Sequence, residues 1–209
     1  MEYSQMTVSD FLRALGSSSA TPGGGTAAAL CGAMAGSLCT MAASVTLGRE
    51  TYKDVWVEMK GIAEEARTHT AVLLELMERD AEAYSSFIEA ARMPRTTEAE
   101  REARKARIQE ALKAACHTPL ETTRAVKEIA RLMETLLFKG NPNAMADLGT
   151  AGKLLSAAAQ SAAYNIKANL KEVEDPCFKE DMLRELGFER PLVEASAMVA
   201  EAEMMKRLG

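Results

Sequence analysis

Asp80 lies in Arg79-Asp80-Ala81-Glu82-Ala83-Tyr84, within a stretch whose apolar residues recur at helical spacing. It falls on the approximate turn that presents Met77, Tyr84 and Phe87 to a neighbouring element. A carboxylate beside such a stripe is costly to bury, and desolvation moves its pKa toward a useful acid–base range. Asp80 could equally be a solvated acid beside Arg79. Asp147, after an Asn-containing turn, carries the same two readings. Asn165 and Asn169 stand one helical turn apart, so both amides can address one polar object or bridge two helices. His69 and His117 are the two histidines, and Glu65–His69 is not repeated as a di-iron bundle would require, so no metal site is expected. Cys31, Cys39, Cys116 and Cys177 form no CxxC pair and no metal-ligand spacing. No Lys-Ser/Thr follows the glycines as a P-loop demands, and nothing marks a nucleophile elbow.

The element that must position these groups is Thr21–Tyr52. It opens on Pro22 and three glycines, Gly23, Gly24 and Gly25, which let another group approach the backbone closely. Thr26 reads as the N-cap of a helix to about Leu47, stopped by Gly48. Such a glycine turn aims free N–H groups and the positive dipole end outward, suiting an anion or a polarised carbonyl. Ala28, Gly32 and Gly36 recur at four-residue spacing and allow a neighbouring backbone unusually near. Arg49 and Tyr52 stand at the far end with a fixed charge and a phenol. Read blandly, the same stretch is a tightly packed core helix after a loop.

The remaining chain reads as helices throughout. Thr7 starts a short helix that Gly16 ends, and a long helix runs from near Asp54 to Ala91. Met93-Pro94 terminates it, and Thr97 with Glu100 forms a capping box for the next. Thr118-Pro119 with Glu121 is a second start signal, so that helix is expected to break or kink there, its continuation reaching Gly140. The turn Gly140–Asn143 precedes an Ala-rich helix from about Ala144 to Val173. Asp175-Pro176 opens a short helix to Gly187, and a last one spans about Pro191 to Leu208. The expected fold is all-α, a multi-helical bundle around the small-residue-rich central helix, forming one domain over 1–209.

Nearly half the residues are hydrophobic, enough for a sizeable core, and few are aromatic. A net charge of −5 argues against a nucleic-acid partner, which needs a basic patch. Thr26–Leu47 carries no charge and is long enough to span a bilayer, but its composition is weakly apolar and its neighbours are amphipathic, so no membrane partner is expected. With no signal peptide in view, a cytoplasmic address is expected.

In this order, Thr21-Pro22-Gly23-Gly24-Gly25, Gly32-Ala33-Met34, Gly48-Arg49, Tyr52, Asp80–Tyr84, Met93-Pro94, Thr97–Pro119, Gly140-Asn141, Asp147, Asn165 and Asn169 resemble the formiminotetrahydrofolate cyclodeaminase/methenyltetrahydrofolate cyclohydrolase family over nearly the whole chain. The resemblance implies an all-helical homodimer that handles the one-carbon unit of tetrahydrofolate, with the folate derivative as substrate and no tightly bound cofactor. It places the family's acidic residue on Asp80. Substrate contacts are expected from Pro22, Gly23, Gly24, Gly25, Thr26, Arg49, Tyr52, Asn141, Asp147, Asn165 and Asn169. Tyr84 departs from the Phe common at that position. No formiminotransferase domain is attached, so another enzyme is expected to supply a formimino substrate. The alternative is a non-catalytic helical binding or assembly protein on the same scaffold. An enzyme needs Asp80, Arg49 and Asn165 to converge; a scaffold lets them scatter.

Overall fold

The computed structural model describes residues 2–208, and among them six α-helices carry the architecture. They are α1 (Val8–Leu15), α2 (Gly24–Leu47), α3 (Trp56–Ala91), α4 (Glu98–Lys139), α5 (Met145–Glu172) and α6 (Pro176–Leu208). No strand occurs among the described residues. The all-α expectation therefore holds. Helix α2 packs against α3, α4 and α5, while α6 closes over α4 and α5. The central helix is thus surrounded on three sides.

Small residues set this arrangement. A Cβ added at Gly32 would lie 2.8 Å from Val126 Cγ2 and 3.0 Å from Leu73 Cδ1, while Gly36 abuts Thr70, Ile129 and Ala66. The Ala28–Gly32–Gly36 face is therefore spent within one chain, against α3 and α4, and not on a second copy. Gly32→Leu should overfill this contact and cost about 1–3 kcal/mol or more. Urea unfolding reads that loss as a lower midpoint, and an unchanged midpoint would refute tight packing at this face.

Four boundaries differ from expectation. Helix α2 starts at Gly24 with Gly23 as N-cap, because Thr26 is fully buried and its hydroxyl serves another partner. A 3-10 segment over Glu50–Val55 precedes α3, which starts at Trp56 instead of Asp54. Helix α4 runs unbroken through Pro119. Proline removes the N–H that would bond Ala115 O four residues back. Here Asn169 Nδ2 donates to that carbonyl at 3.0 Å, which replaces the missing bond. Helix α6 likewise continues through Gly187 and Pro191, and Gly187 is exposed, so water can reach the carbonyl released there. The capping box at Thr97 forms as expected, with Glu100 N–H donating to Thr97 Oγ1 and Thr97 N–H to Glu100 Oε2.

Two buried clusters result. The larger joins α2, α3, α4 and α5 around Leu73, Met77, Ile129 and Leu155; the smaller holds Leu112, Cys116, Leu120, Ile166, Leu170, Met182 and Leu186. Helix α2 is long and apolar enough by composition to cross a membrane, with a mean hydropathy of 1.6, yet half of that stretch is buried inside the bundle. Its outward stripe is nevertheless uncharged. Met34, Met41 and Val45 lie exposed along it, with Leu30 and Leu38 half-buried between them.

Candidate active site

The N-terminus of α2 meets the middle of α3 at Asp80. Thr26 Oγ1 donates to Asp80 Oδ2 at 2.9 Å. Gly25 makes the approach possible, since a Cβ there would fall 2.6 Å from the Asp80 carboxyl carbon. Arg79 does not neutralise the acid; its guanidinium instead forms a two-pronged ion pair with Glu121 on α4. Among the described residues no cation pairs with Asp80. Burial pushes the Asp80 carboxyl above its ordinary 3.8, partly offset by the hydroxyl and backbone N–H of Thr26. The solvated reading beside Arg79 therefore fails. Asp80 is half-buried and without a counter-charge.

A cleft of about 300 Å³ opens over this carboxyl. Its walls are the Ala20–Thr21 loop, Gly23, Gly24 and Gly25 at the start of α2, Asp80, Ala83, Tyr84 and Phe87 on α3, Leu112 and Ala115 on α4, and Asn165, Ala168, Asn169 and Glu172 on α5. The mixture of two aromatic rings, an acid, two amides and a bare helix N-terminus suits a flat, polar heterocycle. N–H groups in the first turn of a helix have no partner inside it. Those of Gly24 and Gly25 stand beside the cleft, where they favour a carbonyl or a developing negative charge.

The two amides are held differently. Asn165 Nδ2 donates to Ser161 O, which fixes the side chain over Gly24. Asn169 spends an N–H on Ala115 O, the carbonyl orphaned by Pro119. Each therefore reaches the cleft from an anchored rotamer.

The expected site residues fall into three groups. Gly23, Gly24, Gly25, Asp80, Asn165 and Asn169 line the cleft. Pro22 is buried behind the turn, and Thr26 reaches the site only through Asp80. Arg49, Tyr52, Asn141 and Asp147 lie at the other end of α2, about 36 Å away by helical rise. Asn141 is buried and its N–H donates to Thr46 Oγ1, so it locks the turn before α5 to the end of α2. Asp147 sits in the first turn of α5, where the helix dipole favours a carboxylate. These four do not line this cleft in one chain, because α2 runs its full length between them and Asp80. Phe87, Leu112 and Glu172 were missed from the sequence. Glu172 follows Asn165 and Asn169 at helical spacing, which was the available signal.

The profile of the formiminotransferase-cyclodeaminase family matches residues 7–187. The chain belongs to that family. It is 38% identical over 192 residues to a methenyltetrahydrofolate cyclohydrolase of Methylorubrum extorquens, covering 92% of this chain and 91% of that protein. It is also 32% identical over 170 residues to the mouse formimidoyltransferase-cyclodeaminase, where the match covers 81% of this chain and 31% of that protein. The crystal structure of formiminotetrahydrofolate cyclodeaminase from Thermotoga maritima superposes with a TM-score of 0.89 at 29% identity, covering 98% of both chains. In formiminotransferase-cyclodeaminase terms, the aligned region includes every wall of the cleft.

Proposed function

We propose that the cleft acts on the one-carbon unit carried between N5 and N10 of tetrahydrofolate. The observation that carries this is Asp80: a carboxyl set beside the first turn of α2, bonded to Thr26, its pKa raised by burial and without a cation partner among the described residues. Hydrolysis of 5,10-methenyltetrahydrofolate needs a base to take a proton from water as oxygen bonds to the methenyl carbon. The resulting cyclic adduct then needs an acid to protonate N5 as its bond to carbon breaks, leaving 10-formyltetrahydrofolate. Asp80 can accept the first proton and return it to N5, a role worth about 10²–10⁴-fold in rate. Similarity over 91% of the length of a cyclohydrolase supports this reaction.

Cyclodeamination is the second reading, favoured by the close fit to a cyclodeaminase. There N10 attacks the formimino carbon on N5, the same kind of cyclic adduct forms, and ammonia leaves after protonation by the same acid. Absorbance of the methenyl chromophore separates the two: loss from 5,10-methenyltetrahydrofolate reports hydrolysis, and gain from 5-formiminotetrahydrofolate reports cyclodeamination. Silence with both substrates would overturn the enzymatic reading in favour of a scaffold.

The chain is read as one folded unit over 1–209 acting in the cytoplasm, and its four cysteines are free. It is also read as a homodimer, with the uncharged stripe of Met34, Leu38, Met41 and Val45 as the contact. Two α2 helices crossing antiparallel near Ser37 would carry Arg49 and Tyr52 of one copy toward the glycine turn of the other. That pairing would give the distant residues a place at the cleft. Met41→Glu puts a charge into the seam, so sedimentation should show the wild type at twice the chain mass and the variant at one. A monomeric wild type would contradict the pairing.

A further inference from the structure

Helix α2 begins without a cap of its own. Gly23 has no side chain to accept the first-turn N–H groups, and the first backbone bond inside the helix runs from Ala27 N–H to Gly23 O. The N–H of Thr26 is therefore one of the orphan donors at this end. Asp80 takes it from the neighbouring helix, together with the Thr26 hydroxyl, which reaches Oδ2 at 2.9 Å. A carboxylate on α3 thus does for α2 what an N-cap side chain would do. Capping alone needs only the N–H. The other hydroxyls of α2, on Ser37, Thr40, Ser44 and Thr46, each donate to the carbonyl four residues back. Thr26 has no helical carbonyl behind it, and its fully buried hydroxyl turns across to α3.

A carboxyl group turns easily about its Cβ–Cγ bond, because that torsion has only broad minima. With Oδ2 held by Thr26 the turn is fixed, and Oδ1 lies against Gly25 on the wall of the cleft. No side-chain donor among the described residues reaches Oδ1. The surrounding charges do not hold the carboxyl either. On α3, Arg79 is tied to Glu121 of α4, Glu78 accepts the Ser4 N–H, and Glu82 is exposed. Helix α2 carries no charged residue, α4 lines the cleft with Leu112 and Ala115, and α5 adds Glu172.

We propose that Thr26 is the positioning residue for the proton carrier: buried behind Asp80, it holds Oδ2 so that Oδ1 is the oxygen that takes a proton from water and returns it to N5. The proposal rests on the folate reading of the cleft. A donor to the ionised carboxyl also favours that form, so the same hydroxyl keeps Asp80 ready as a base against the effect of burial.

Thr26→Val keeps the branched shape and removes the hydroxyl. With 5,10-methenyltetrahydrofolate its kcat should fall at least about tenfold, the scale of a hydrogen bond to a charged group, while KM stays within about twofold. The acid limb of its kcat/KM profile should move to higher pH, since the ionised acid has lost a donor. Thr26→Ser keeps the hydroxyl and loses a buried methyl, so it should melt lower yet hold most of its kcat and leave the limb in place. Added to Asp80→Asn, Thr26→Val should cost almost nothing more, because a residue acting through Asp80 has nothing left to position. Should Thr26→Val not fold, Thr26→Ala removes the same donor and takes its place. Equal kinetic losses in Thr26→Val and Thr26→Ser, an acid limb unmoved in Thr26→Val, or losses that multiply with Asp80→Asn would overturn the positioning role and leave the folate reading standing. A wild type silent on both 5,10-methenyltetrahydrofolate and 5-formiminotetrahydrofolate would overturn both.

Discussion

Asp80→Asn should lower turnover by at least about a hundredfold while the protein remains folded, the lower end of what a positioned proton carrier supplies. The amide is nearly isosteric and can still accept the Thr26 hydroxyl bond, so the walls of the cleft keep their places. It cannot carry a proton between water and N5. Glu82 is the internal control: it is exposed and about 200° around the same helix, so Glu82→Gln should retain most activity. The stability effect has the opposite sign from the catalytic one. The folded protein raises the Asp80 pKa above 3.8, so it prefers the protonated form. That preference stabilises the fold below the unfolded value and is lost as pH rises through the folded one. At neutral pH the ionised acid is a liability, and Asp80→Asn should melt no lower than the wild type. In acid the difference should vanish. An Asp80→Asn protein that unfolds, or that turns over normally, would remove the proposed role.

Gly25→Ala should cost nearly as much activity by a different route. The new methyl would stand 2.6 Å from the Asp80 carboxyl carbon, well inside contact distance. Either the carboxyl swings off Thr26 or the start of α2 moves away from α3. A shift of about 1 Å in a catalytic group can cost around a hundredfold in rate. Gly24→Ala is the comparison, because its nearest neighbour would be Asn165 Nδ2 at 3.6 Å, an ordinary contact. Its methyl should disturb the fold little and act only by entering the cleft. Steady-state kinetics with thermal melts on both variants separates displaced acid from crowded pocket. Equal, small effects at Gly24 and Gly25 would mean that the close approach is not needed.

Much of this was legible in the chain itself. Apolar spacing marked α3 and the second half of α4, and the glycine cluster before an uncharged helix marked the place where an acid could approach backbone. Asp80 and the Asn165–Asn169 pair were visible as polar residues at helical spacing beside apolar ones. What could not be read was which face of a small-residue helix is spent on which neighbour. Gly32 and Gly36 allow some neighbouring backbone to come near without saying which, and they accept Leu73, Val126 and Thr70 of the same chain. The continuity of α4 through Pro119 was hidden for a related reason. Its compensation comes from Asn169, fifty-four positions from Ala115 in sequence, and no local signal predicts that bond. Arg49 and Tyr52 carry chemistry by type, but only the length of α2 reveals their distance from Asp80. Arg95, Arg101, Arg104 and Lys105 stand close together in sequence, but they form a groove only where α3, α4 and α5 meet.

The pH dependence of kcat/KM for 5,10-methenyltetrahydrofolate tests the role of Asp80 most directly, since it reports the ionisation of the free enzyme's essential group. With Asp80 as base, activity should fall toward acid through one inflection above 3.8, the direction set by burial. The residual activity of Asp80→Asn should lack that limb. The same inflection surviving in Asp80→Asn would show that another group carries the proton.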